Sequence, residues 1–200
     1  MRRIALALAT TLALALVGSA AHAQSIGIRA GGHLSNIVGA DVDNTTMRPG
    51  FHVGAFTSLS AGPIALRPEL LYTVQGANLD LGDLSTEDAS VRLSYLQVPV
   101  FAKFDLLPGP IAPYIAAGPY AQLLLGANSV VGDAEDDVKD AYAPYTFGIA
   151  GAVGAGFQTP VGGLSAELRY TRDLVDMRDS EVEGESQFNS VIALSVGLQF

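Results

Sequence analysis

Three residues near the start of the chain have the types that nucleophilic chemistry uses: His33, Ser35 and His52. A serine hydroxyl attacks only when a base takes its proton, and that base needs an acid to orient it. His33 with Ser35 two residues beyond it would suit a hydrolase acting on lipid. Alternation, however, directs both away from any lipid-facing surface, and no orienting acid has a defined place in the pattern. A two-histidine metal site lacks the further ligands that a metal requires. Hydrogen bonding is the role expected of both histidines, which flank one polar link and should face each other.

Glu69 and Glu167 form the other chemical pair. Each stands two residues from an arginine on the same face, Arg67 and Arg169, which suits a salt bridge better than proton transfer. Asp41-Val42-Asp43-Asn44 and residues 133–140 spread oxygen ligands along polar segments, but neither has calcium-loop spacing, and solvated acidic loops account for both. Glycines 148, 151, 154 and 156 are followed by no Gly-Lys-Ser/Thr, so close packing between strands explains them better than a phosphate cradle. The chain has no cysteine, which removes thiolate catalysis, cysteine metal sites and disulfides together. No catalytic, cofactor or metal site is expected, and the chain does not read as an enzyme.

The elements that must position these residues begin after an address segment. Arg2 and Arg3, an apolar run from Ile4 to Val17 broken by Thr10 and Thr11, and Ala21-His22-Ala23 have the order of a cleaved signal peptide over residues 1–23. Residues 24–200 then form one domain. Without Arg2 and Arg3, nine basic residues face twenty acidic ones, a net charge of −11 that disfavours nucleic acid. Residues 111–127 are apolar but interrupted by Pro113, Pro119 and Gln122, so any membrane crossing must use strands.

From Ser25 onward the recurring period is two. Eight runs are expected: 25–35, 51–60, 64–75, 93–104, 111–125, 145–158, 164–172 and 188–200. Three links are short Gly/Pro turns at 60–63, 106–110 and 159–163. The other four, at 36–50, 76–92, 126–144 and 173–187, are long and hold at least fifteen of the twenty acidic residues. Short turns at one end and long loops at the other is the layout of an all-β, eight-stranded antiparallel up-and-down barrel in a bacterial outer membrane.

A soluble lipocalin-like carrier would alternate too, with its apolar face inward. The aromatics favour the opposite sense. Phe51, Tyr72, Phe147 and Tyr170 fall at the long-loop end and Phe104, Phe157 and Phe200 at the short-turn end, as two lipid-interface girdles around a Leu/Ile/Val/Ala band. In the last run Ile192, Leu194, Val196, Leu198 and Phe200 share the outer face, and this C-terminal strand is expected to engage the barrel assembly machinery. The interior then holds Arg29, Arg67, Lys103 and Arg169 with Glu69 and Glu167, joined by Gln75, Tyr95, Gln97, Tyr114, Tyr120 and Gln122. Eight strands leave room for side chains only, so a structural polar network is expected instead of a wide pore. Pro68, Pro99, Pro113 and Pro119 lack ladder donors, and bulges or local breaks are expected there.

Gly27-Ile28-Arg29-Ala30-Gly31, Gly50-Phe51-His52-Val53-Gly54, Pro68-Glu69-Leu70-Leu71-Tyr72 and Tyr95-Leu96-Gln97-Val98-Pro99, continued by Gly118-Pro119-Tyr120 and Glu167-Leu168-Arg169-Tyr170, resemble the PorT-like outer-membrane β-barrel domain family. The resemblance spans residues 24–200 through short, degenerate motifs and implies a fold more than an activity. The expected role is structural or interaction-based: a barrel in outer-membrane lipid that presents long acidic loops to an extracellular partner of unknown identity. A lipid-modifying barrel enzyme and a porin-like small-solute conduit are the alternatives.

Overall fold

The computed structural model describes residues 24–38, 45–79, 89–131, 134–160, 162–175 and 188–200. The signal segment 1–23 and the Asp41-Val42-Asp43-Asn44 run lie outside the described residues, as does much of the acidic links at 80–88 and 176–187.

Among the described residues nine strands follow one another: β1 (Gln24–Val38), β2 (Thr45–Ala61), β3 (Ile64–Leu79), β4 (Ala89–Asp105), β5 (Ile111–Val131), the short β6 (Ala134–Asp137), β7 (Tyr145–Thr159), β8 (Gly162–Asp173) and β9 (Phe188–Gln199). Eight of them close a ring in the order β1-β2-β3-β4-β5-β7-β8-β9, with β9 returning to β1 and β4 joined to β5, every pair antiparallel. Closure pairs the strand backbones with one another where lipid could not, and leaves no open sheet edge in the ring. β6 folds back on the end of β5 as a ninth, peripheral strand.

Periodicity locates the strands but undersizes those at the long-loop end. β1, β3 and β5 run on to Val38, Leu79 and Val131, and β2 and β4 begin at Thr45 and Ala89. Pairing continues past the lipid-facing band because hairpin ladders extend wherever both strands remain available, whether or not side chains alternate in polarity. Among the short links, Gly62 takes a left-handed φ of +65° in the β2–β3 turn, a conformation glycine adopts without steric cost.

Where prolines break the ladder, they do not shift it. On β3–β4 the paired positions pass from Pro68↔Val100 to Leu71↔Gln97, and on β4–β5 from Pro99↔Tyr120 to Ala102↔Ala117, each in unchanged register. The register shifts fall elsewhere, between Met47 and Phe51 and between Ser94 and Tyr95. Of the bulges or local breaks expected at the prolines, local breaks occur beside Pro68 and beside Pro99 and Pro119, while the β5–β7 ladder runs through Pro113 unbroken. β5 accommodates both Pro113 and Pro119 within a single strand of 21 residues.

Candidate functional site

The lumen begins with a small-residue wall. On β7 the inward positions include Gly148, Ala150, Ala152 and Gly154. A methyl added at Gly148 would run into the ring of Tyr120, and one at Gly154 would lie 2.6 Å from that of Tyr114. Glycine on β7 thus makes space for the tyrosines of β5, the close packing expected of this strand. Gly151 differs. It faces outward, in a shallow apolar notch with Val153, Leu168, Tyr170 and Ile192.

β3 and β8, the latter next to that wall, stand four strands apart around the ring in either direction. Both run from the short-turn end toward the long-loop end, and they carry the same charges in reversed order: Arg67-Pro68-Glu69 on β3, Glu167-Leu168-Arg169 on β8. Opposite charges therefore face each other at two successive levels. Arg67 Nη2 donates to Glu167 Oε2 at 2.6 Å, and Arg169 Nη2 to Glu69 Oε2 at 2.9 Å. Arg29, from β1, completes the cluster at 2.9 Å from Glu167 and 3.6 Å from Glu69. Arg67 also lies 2.9 Å from Glu69, and Arg169 2.7 Å from Glu167, so each carboxylate touches all three guanidiniums.

All five side chains are at most 3% exposed. Charges so removed from water persist only when paired and hydrogen-bonded. Tyr114 adds a hydroxyl to Glu167 Oε2 at 2.9 Å. Aromatic faces cover the guanidiniums: Phe56 lies 5.3 Å from Arg29, and Phe101 lies 5.0 Å and 4.6 Å from Arg67 and Arg169. The network expected from the sequence contains neither phenylalanine. Phe56 shares its parity with His52, and Phe101 with Gln97 and Lys103. That parity could have found both, but the aromatics serve there only to define the outer face.

Lys103 does not join this cluster. It bonds Asp105 at 2.6 Å near the short-turn mouth, with its ammonium 4.6 Å from the Tyr114 ring centre. Position along the strand decides this, because Lys103 is near the end of β4 and level with the rim.

Above the arginines the lumen turns to imidazole, amide and hydroxyl groups. His33 and His52 stack with ring centres 5.8 Å apart and planes 8° from parallel. His33 Nε2 bonds the Val74 carbonyl at 2.8 Å, and His52 Nε2 lies 2.9 Å from Ser195 Oγ. Ser35 Oγ donates to the Gly76 carbonyl at 2.7 Å and accepts from the Gly76 amide at 2.9 Å. Its hydroxyl is thus a bridge from β1 to β3, turned to backbone and not to His33. Gln75 accepts from Asn189, and Gln97 donates to Gln122 at 3.3 Å.

Asp173, placed by periodicity in a solvated acidic link, is in fact the buried last residue of β8 and accepts hydrogen bonds from Tyr120 and Gln122. Tyr95 likewise leaves the polar network. It packs with Val91, Leu93, Leu124 and Ala127 in an apolar cluster at the long-loop end, against which Val138 and Tyr142 rest. The register shift beside Tyr95 lets Leu124 and Ala127 both turn inward, which strict alternation forbids. Among the described residues no group of three or more His, Cys, Asp or Glu side chains could hold a metal.

The outer surface is the complement. Ile26, Ile28, Val53, Leu70, Ile149, Val153, Leu168, Leu194 and Val196 are exposed on the outer wall. Phe51, Tyr72, Phe147 and Tyr170 stand outward toward the loops, joined by Tyr145, and Phe104, Phe157 and Phe200 outward toward the short turns. An apolar exterior around a charged interior inverts the lipocalin arrangement and fits lipid as solvent. No helix among the described residues is long and apolar enough to cross a membrane; strands do the crossing.

Solved structures share this fold. Neisserial surface protein A is similar over 90% of this chain and 100% of its own, at 13% identity and a TM-score of 0.53. The outer membrane protein OprG from Pseudomonas aeruginosa is similar over 89% and 96% at 13% identity and a TM-score of 0.52. A major outer membrane protein from Thermus thermophilus is similar over 90% and 100% at 15% identity and a TM-score of 0.51. Comparison with curated protein sequences finds no match. The model of the outer membrane protein β-barrel domain matches residues 19–179. With most of its length matched and its eight-stranded ring closed, the chain belongs to the outer membrane protein β-barrel domain family and resides in the bacterial outer membrane.

Proposed function

We propose that this barrel is a rigid membrane anchor whose working surface is its acidic outer loops, with a structural or interaction role and neither enzymatic nor channel activity. One observation carries the reading: the lumen is filled at mid-height by five mutually paired charges, each at most 3% exposed. A solute crossing the barrel would have to separate them, and truncating one partner of such a group costs about 3–5 kcal/mol. The hydrogen bonds of Ser35 to the β3 backbone speak against the lipid hydrolase. Specificity then falls to the loops, as in other scaffolds where rigid elements carry variable connections. The finer PorT-like kinship belongs to the same proposal and is supported by the short strand motifs that carry the Arg29, Glu69, Gln97 and Glu167 positions. Outer-membrane lipid meets the apolar band, and the assembly machinery would read the C-terminal strand through Leu194, Val196 and Phe200, which are exposed on its outer face.

Planar bilayers test the reading. Purified barrel should give no current above the lipid baseline, and steady single-channel steps would sink it. Replacing 80–88 and 176–187 with short Gly/Ser turns should leave the band shift between boiled and unboiled samples intact while removing any binding to cell-surface or matrix components. Binding retained without the loops would place the working surface elsewhere.

A further inference from the structure

Among the described residues, the ring strands expose basic side chains on the outer wall at Arg92 of β4 and Arg172 of β8. Both stand toward the long loops, the extracellular end of such barrels. Their surroundings differ. Arg92 pairs with Gly76 and Asn128 and has Ser94 two residues below it, so its neighbours are small or polar. Arg172 stands among apolar groups: Ile149 opposite it on β7, Tyr170 two residues below and Leu174 two residues beyond, all exposed. On its other side Ser190 of β9 places a hydroxyl beside it.

A guanidinium within the aromatic belt lies where acyl chains end and headgroups begin, and a charge there is poorly screened until an anion meets it. Among the described residues the chain offers Arg172 no such anion. Asp173, the adjacent acid, turns into the lumen and accepts from Tyr120 and Gln122, and no ion pair includes Arg172.

Below Arg172 is the apolar notch. Gly151 pairs with Tyr170, and a methyl added at Gly151 would meet nothing within 4 Å. The notch encloses about 290 Å³ against Val153, Leu168, Tyr170 and Ile192 and opens sideways to the membrane. By itself it selects nothing, because lipid tails are as apolar as the wall and any acyl chain fills it. Arg172, about 7 Å further along β8 than Tyr170 at strand rise, supplies the selection.

We propose that the β7–β8 face seats one phosphate-bearing lipid of the outer leaflet. Arg172 donates charge-assisted hydrogen bonds to the phosphate, Ser190 adds its hydroxyl, and one acyl chain lies in the Gly151 notch against Tyr170. Complementary charge specifies the headgroup, and the notch specifies the tail. Arg172 is already at the surface, so no buried side chain has to open to receive the lipid. The seat uses wall residues alone and stands whether or not the acidic loops bind a partner.

Native mass spectrometry of the full barrel, released from phosphatidylcholine nanodiscs that contain a minority of phosphatidic acid, tests this. One phosphatidic acid should stay bound in preference to phosphatidylcholine. Arg172→Gln should weaken its retention at least about tenfold, the loss of one charge-assisted hydrogen bond, and Arg172→Lys should restore most of it. Gly151→Leu, which fills the notch, should weaken it by a smaller factor, and Arg92→Gln should leave it unchanged. All four substitutions lie on the outer wall, and the band shift between boiled and unboiled samples checks that each barrel is closed. Equal retention of the two lipids, or an Arg172→Gln loss no larger than that of Arg92→Gln, would reduce the face to ordinary lipid contact and overturn the proposal. Displacement by glycerol phosphate, which has no acyl chain, would make this a soluble-anion site, and a dimer that disappears in Gly151→Leu would give the notch to a second copy; either result equally overturns it.

Discussion

Toward the short turns the lumen is charged, aromatic-lined and open, whereas toward the long loops it is mostly uncharged, with the buried acid Asp173, and closed by Val91, Leu93, Tyr95, Leu124 and Ala127. Both halves lie inside the same eight strands and follow the same inward parity. They differ in what holds them. The lower half depends on directional ion pairs that tolerate no missing partner, and the upper half on apolar contact and amide hydrogen bonds that relax around a loss. A barrel so arranged is blocked twice, by charge at mid-height and by packing near the outer surface, while its inner mouth remains accessible.

Single substitutions probe this contrast. Glu167→Ala should be the most damaging, costing about 3–5 kcal/mol because three guanidiniums would share one carboxylate; urea unfolding followed by circular dichroism in detergent measures it, and a loss below about 1 kcal/mol would mean the cluster is not the brace described. Val153→Arg, on the exposed middle of β7, should cost about 2–4 kcal/mol in lipid vesicles. Were the same change nearly neutral there, the apolar band would not face lipid at that level.

Leu93→Ala in the upper cluster should cost about 2 kcal/mol, the low end for such truncations, because the partly buried Val138 and Tyr142 can settle into the space. It should still give no conductance, since the charges beneath remain. Conductance in this single variant would make the apolar cap the true barrier. Lys103→Gln at the half-open rim should change stability by less than about 1 kcal/mol, and that small change should shrink further at high salt. A large, salt-insensitive loss would tie Lys103 to the central cluster after all.

Much of this barrel is legible in the chain because one face meets lipid. That demand keeps Ile192, Leu194, Val196 and Leu198 in step and forces their neighbours inward, so the parity of Arg29, Arg67, Glu69, Glu167 and Arg169 follows from counting by two. Legibility fails where the demand lapses. Beyond the lipid band nothing obliges alternation, so the strand ends at Val38, Leu79 and Val131 read as loops and Asp173 as a solvated acid. Tyr95 reads as a member of the polar network because of its hydroxyl, although its inward neighbours Val91 and Leu93 are apolar.

Local properties of the chain, written in its period and its turn residues, specify the two-faced strands, their number around the ring, the alternation of short and long links, and the reversed Arg-x-Glu and Glu-x-Arg order on two of them. Folding in three dimensions adds what no segment contains. β3 and β8 come to stand diametrically opposed, the two reversed motifs therefore meet level by level, and Arg29 arrives as a third guanidinium against two carboxylates. Those facts depend on ring order and stagger, which closure imposes on all eight strands together and which no single strand encodes.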